Sequence, residues 1–235
     1  MDLISLLKES LNEDSIVSIK DTLSSNIVEI KNRLDTLDTT REKIIKLTRE
    51  IIRRSGWAIV EALKGELAKA TEHLQVCENK TRELLALAEP YPELLHTGLV
   101  NNALSEYVEA KLFIEIITNG KLPGYKELNI PPVPYLQGLG DLAGELKRLG
   151  LELIRNNEYE LAERLLLIIE AIYLELRSLD YPEALLPGVR HKTDVARRIV
   201  DDFKTLLVDL MNRNKLTRIL EQNLEYISKR EQTNT

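Results

Sequence analysis

The sequence predicts an all-α protein folded as one closed helical bundle. Three observations carry that reading: apolar residues recur at spacings of three and four along most of the chain, β-branched alternation is absent, and Gly and Pro fall mostly between the periodic segments. No period near 34 or 40 residues repeats along the chain, so a closed bundle is expected rather than a helical solenoid.

The elements follow in order. After a short N-terminal piece, a very long helical pattern runs from 14 to about 64, with a bend expected at Ser55-Gly56. Further helices are expected over roughly 66–88 and 92–118, with Pro90 and Pro92 marking the break between them. The stretch 119–134 holds Gly120, Pro123, Gly124, Pro131, Pro132 and Pro134 and reads as the one extended loop. Helices are expected again over about 135–156, 158–179, 189–212 and 214–228. The single domain therefore spans 1–228, and the polar tail 229–235 is expected to be disordered. Several helices are apolar on more than one face, which predicts burial of a second surface against another subunit.

Composition narrows the chemistry. With 235 residues, 43% hydrophobic and 30% charged, the chain can bury a sizeable core. The single Cys77 excludes an internal disulfide and a cysteine-rich zinc site, and His73, His96 and His191 are scattered. Any metal is therefore expected to be held by oxygen. The longest aliphatic run, Leu165 to Ile169, is too short to span a bilayer, and the N-terminus shows neither a basic leader nor a small-residue cleavage site. A cytoplasmic protein without membrane contact is expected.

The informative pattern is acidic. Leu95, Leu99, Asn102, Glu106, Glu109, Phe113 and Ile116 alternate steps of four and three and so share one helical stripe. Its ends read as core and its middle does not. A buried carboxylate must protonate, pair with a base or hold a cation, so the stripe predicts a site. Further on, Tyr135, Leu139, Leu142, Leu146, Leu149 and Leu153 form an apolar stripe with Asp141 and Glu145 on the adjacent face, where a second pair of ligands could meet the first. Gly138, Gly140 and Gly144 surround these acids; each weakens a helix by about 1 kcal/mol relative to Ala, which predicts a compensating close approach by a neighbouring helix or a ligand.

The net charge of -6 excludes a generally basic nucleic-acid coat, so polyanion binding must come from local clusters. One runs from Arg41 to Arg54 and presents Lys46, Arg49 and Arg53 on a shared face; the other, between Pro187 and Leu220, includes Arg190, Lys192, Arg197 and Arg198. Trp57, one turn beyond Arg53, could stack on a base or anchor a core.

The segments SEYVEAKLF and PYLQGLGDLAGELKRLGLELI, with REKIIKLTREI before them and basic helices after, resemble the translin family over roughly 40–215, and specifically its translin-associated factor X branch. That branch carries E-Y-V-E-A and A-D-L-T-G-E-L; here Gly140 replaces Ala and Ala143 replaces Thr, and neither is a ligand. The resemblance implies a seven-helix subunit that assembles into a hollow, roughly octameric shell and cleaves single-stranded RNA with Mg²⁺, or with Mn²⁺ in its place. By the same match Glu106, Glu109 and Asp141 are the catalytic acids, and Glu145 is a further carboxylate on the metal. A chain carrying both acids and basic faces is expected to form a homo-oligomer, with a separate translin-type partner as the alternative.

Three readings stand side by side. The first is a Mg²⁺-dependent endoribonuclease using the four acids, with Lys46, Arg49, Arg53, Arg190, Lys192, Arg197 and Arg198 on the RNA. In the second, the same shell binds single-stranded RNA or DNA without cleavage. The third is a structural oligomer whose acids pair with bases or a stabilising cation.

Overall fold

The computed structural model describes residues 2–233, with side chains described through Leu224. Among the described residues there are eight helices and no strand. They are α1 (Leu3–Ser10), α2 (Glu13–Leu63), α3 (Leu67–Ala88), α4 (Pro92–Leu95), α5 (Gly98–Asn119), α6 (Pro132–Arg155), α7 (Tyr159–Arg177) and α8 (Val189–Thr233). None is long and apolar enough to cross a membrane.

Local chemistry sets the boundaries. The helix expected over 92–118 is interrupted at His96-Thr97, because Thr97 is extended and its Oγ1 accepts from the Val100 amide as the N-cap of α5. At the other end Gly120 takes φ +62° and its amide donates to Glu115 and Ile116, closing the helix in the left-handed conformation that glycine adopts freely. Pro132, at the first position of α6, starts that helix three residues ahead of the expected boundary, since proline lacks only an amide that the first turn leaves unbonded anyway. The bend expected at Ser55-Gly56 does not interrupt α2, whose Ser55 is fully buried on the core face. Nor does the chain break near 213; α8 is one helix of 45 residues. Its backbone remains helical from 229 to Thr233, within the expected tail, while Asn234 and Thr235 lie outside the described residues.

α2 packs on α3 and α5, α5 on α6, and α6 in turn on α7 and α8. The α5/α6 pair is therefore the middle of the bundle, and its core includes Leu104, Val108, Leu112, Phe113, Leu142 and Leu146, all fully enclosed. Close packing at two seams depends on missing side chains. A Cβ on Gly138 would lie 2.5 Å from the Ser105 carbonyl oxygen on α5, and one on Gly150 would lie 2.3 Å from the Phe203 ring on α8.

Both long helices outrun the bundle. α2 buries nothing before Thr40, leaving Ile16, Ile19, Leu23, Ile27, Ile30 and Leu34 exposed over about 40 Å of helix. Beyond Leu207, α8 likewise exposes Leu216, Ile219, Leu220 and Leu224. Apolar surface of this extent on a single chain matches the expectation of burial against another subunit.

Candidate functional site

The four predicted acids come from two helices that the Gly138 contact presses together. Glu106 and Glu109 lie one turn apart on α5, and Asp141 and Glu145 one turn apart on α6. All four are half-buried. The predicted stripe is split between two helices: Leu95, on α4, packs against the core, Leu99 and Asn102 at the start of α5 are exposed, and from there the stripe passes through the two glutamates to the enclosed Phe113.

Electrostatics report their mutual influence. Burial, then the charge of Asp141, then those of Glu106 and Glu145, push the Glu109 carboxyl up to about 8. Glu106 is raised as well, by burial first and then by Asp141 and Glu145, with Lys192 acting against them. Neither glutamate has a hydrogen bond or ion pair among the described residues, whereas Asp141 Oδ1 accepts from Lys192 Nζ at 2.5 Å and Glu145 Oε2 lies 3.5 Å from Arg148 Nη1. Thr81 Oγ1 is the one fully enclosed side-chain polar atom without a partner among the described residues, so the glutamate oxygens keep a route to solvent.

By chemistry this donor set suits a hard divalent cation: it is all oxygen, dense in charge, and half of it is uncommitted. By position it is not yet a coordination shell, since among the described residues no three acidic, histidine or cysteine side chains converge on one point. Holding an ion calls for side-chain rotation, and Lys192 takes up Oδ1 of Asp141, leaving Oδ2, without a hydrogen bond among the described residues, as the oxygen free to bind. The repulsion that raises Glu106 and Glu109 acts over a longer range than a ligand bond, which is why both observations hold together.

The predicted basic residues are placed differently from one another. Lys46 and Arg49 are exposed on α2. Arg53, also exposed, pairs with Glu50 and lies 5.1 Å over the Trp57 ring. Arg54 joins the same cluster, bonding Glu50 at 2.8 Å and His73 at 3.0 Å, with its guanidinium 5.3 Å from the indole. Trp57 itself is 43% exposed, so it is neither core nor free surface. On α8, Arg190, Arg197 and Arg198 are exposed.

Lys192 is the exception. Composition alone groups it with the RNA-facing residues, yet the fold carries it into the acidic site. The signal that points to it is Gly140, where a Cβ would fall 2.7 Å from the Lys192 Cβ. Of the three glycines beside the acids, Gly138 and Gly140 are compensated by close helix approach, and Gly144 faces open space.

Comparison with known proteins agrees with this architecture. The chain matches the translin family over residues 29–213. It is 32% identical over 194 residues to an uncharacterized protein of Methanocaldococcus jannaschii, covering 80% of this chain and 86% of that protein. Among solved structures it is similar to AfC3PO, with a TM-score of 0.74 at 29% identity, covering 83% of this chain and 99% of the other. AfC3PO in a complex with duplex RNA gives a TM-score of 0.75 at 29% identity, covering 83% and 98%. Apo-NeC3PO shares the fold with a TM-score of 0.72 at 22% identity, covering 79% and 97%.

Proposed function

The chain belongs to the translin family, and from that premise we propose that it is a Mg²⁺-dependent endoribonuclease of the factor X type, acting within a homo-oligomeric, roughly octameric shell. One observation carries the proposal: four carboxylates from α5 and α6 line one half-buried seam within electrostatic reach of one another, with Glu106 and Glu109 raised by their neighbours and without a side-chain partner among the described residues. Packing alone does not account for such an arrangement, because it destabilises the bundle unless a proton or a cation offsets it.

In this reading Glu106, Glu109 and Asp141 hold the ion and Glu145 supports it. Bound there, Mg²⁺ or Mn²⁺ would supply an activated water and neutralise charge on the scissile phosphate. The chain's own residues do the rest. The α5/α6 seam fixes the acids, Lys46 and Arg49, which carry no ion pair among the described residues, offer positive charge to the RNA backbone, and Arg190, Arg197 and Arg198 add a second track. RNA is the substrate class favoured, since the similar AfC3PO has been solved with duplex RNA; single strands are the form we expect to be cut.

A second reading has its own observation. Asp141 is held by an ammonium and no three acids converge among the described residues, as expected of a shell that binds RNA without cutting it. Labelled single-stranded RNA, single-stranded DNA and duplex RNA, each incubated with Mg²⁺ or EDTA beside Glu109→Ala, separate the two. Mg²⁺-dependent RNA cleavage that disappears in the variant is the expected result. Binding without cleavage under every condition would establish the second reading instead.

A further inference from the structure

Asp141 is the acid with an ammonium on it, and three features of the fold put it there. Gln137 Nε2 donates to the Pro187 carbonyl at 2.6 Å, fixing the start of α8 against α6. Gly188 takes φ +76° while its amide donates to Glu183 Oε1 at 2.7 Å, which turns the chain into α8. Gly140 then leaves out the one side-chain atom that would block the lysine stem, since its Cβ would lie 2.7 Å from that of Lys192. The pair so formed is partly enclosed, with side-chain exposures of 31% and 28%. Its ammonium also acts on Glu106 and Glu109.

We propose that Lys192 is a tethered counter-cation of the acidic site: its ammonium stands where the four carboxylates need positive charge, so Lys192 and a divalent cation compete for Asp141. The inference rests on reading the four acids as a metal site. Without a bound ion, four carboxylates line one half-buried seam within electrostatic reach of one another, and the lysine offsets part of their repulsion. Lysine suits the task because its charge is compact and its four-carbon stem can carry it away, which a planar guanidinium in the same space would do less readily. Lys192 is thus a positioning residue acting through Asp141, not a phosphate contact.

The test uses Mn²⁺ as the probe, with full-length protein and no RNA. Calorimetric titration and melting in EDTA are compared for the wild type, Lys192→Met and Lys192→Gln. Removing a unit charge a few ångströms from a divalent ion in a half-buried site is expected to tighten Mn²⁺ binding about tenfold or more. The same variants are expected to melt lower in EDTA, where nothing replaces the missing ammonium. Gly140→Ala, which keeps the charge but displaces the stem, is expected to shift Mn²⁺ affinity in the same direction by less. A purely structural lysine would leave affinity unchanged or weaken it. Unchanged or weaker Mn²⁺ binding in both lysine variants, with the wild type binding normally, therefore overturns the competition. Absence of Mn²⁺ binding in all four proteins overturns the metal site itself.

Discussion

Glu109 makes the strongest single-residue statement. Its carboxyl is pushed up to about 8 by burial and by the surrounding acids, so between about 4.5 and 8 the folded protein holds a proton that the unfolded chain has lost. The sign follows directly: metal-free stability is fully present at the low end of that window and declines as pH rises through it. Glu106, raised by the same causes, acts in the same direction. The loss is on the order of a few kcal/mol, which for a chain of this size is several degrees of melting temperature. In EDTA, melting is expected to fall as pH goes from 5 to 9. Glu109→Gln removes the charge while keeping the shape; it should match the wild type near pH 4.5, melt increasingly higher than it as pH rises through the window to about 8, and lack cleavage. A pH-independent wild-type melting curve would sink this account.

At the scale of the element, the glycines of α6 separate packing from access. Gly138→Ala drives a Cβ against the backbone of α5, where nothing flexible can yield, and is expected to destabilise the protein by about 1–3 kcal/mol. Gly144→Ala meets nothing within 4 Å and should stabilise α6 by about 0.5–1 kcal/mol through helix propensity. If the open space at Gly144 admits the RNA backbone, that variant melts higher yet cleaves more slowly, a combination that paired melting and cleavage assays detect. The projecting part of α2 obeys a different rule. Residues 2–28 bury nothing within the subunit and precede the family match, but they carry the exposed Ile16, Ile19, Leu23 and Ile27, so their deletion is expected to leave helical content per residue nearly unchanged while lowering the melting temperature and the oligomer size. Melting and sedimentation of the truncated protein measure both, and no change in either would mean that the segment makes no stabilising contact between subunits.

For the whole molecule, what can be read from the sequence divides by distance along the chain. The helical class and the break near Pro90 are local patterns, and they are where the periodicity puts them, whereas α6 begins at Pro132, inside the stretch that reads as loop, because proline at the first helical position breaks nothing. The approach of α6 to α5 is signalled by Gly138, because a helical glycine needs a reason. Lys192 and Asp141 are 51 residues apart, and no local pattern links them. Likewise, His73 on α3 reaches Arg54 and Trp57 only through tertiary packing. The same distinction decides how RNA binding should be tested. By sequence Lys46, Arg49 and Arg53 form one equivalent face, but Arg53 is engaged with Glu50 and Trp57 while Lys46 and Arg49 carry no ion pair among the described residues. On a chain of net charge -6, the grip on phosphates must come from such uncommitted charges. The double variant Lys46→Ala, Arg49→Ala is therefore expected to weaken RNA binding across all sequences and to reduce the slope of log affinity against log salt by about 0.7–0.9 for each phosphate no longer neutralised. Arg53→Ala is expected to change that slope less. Fluorescence anisotropy with labelled RNA over a salt series, in EDTA to prevent cleavage, measures both, and an unaltered slope in the double variant would move the RNA track to Arg190, Arg197 and Arg198 on α8.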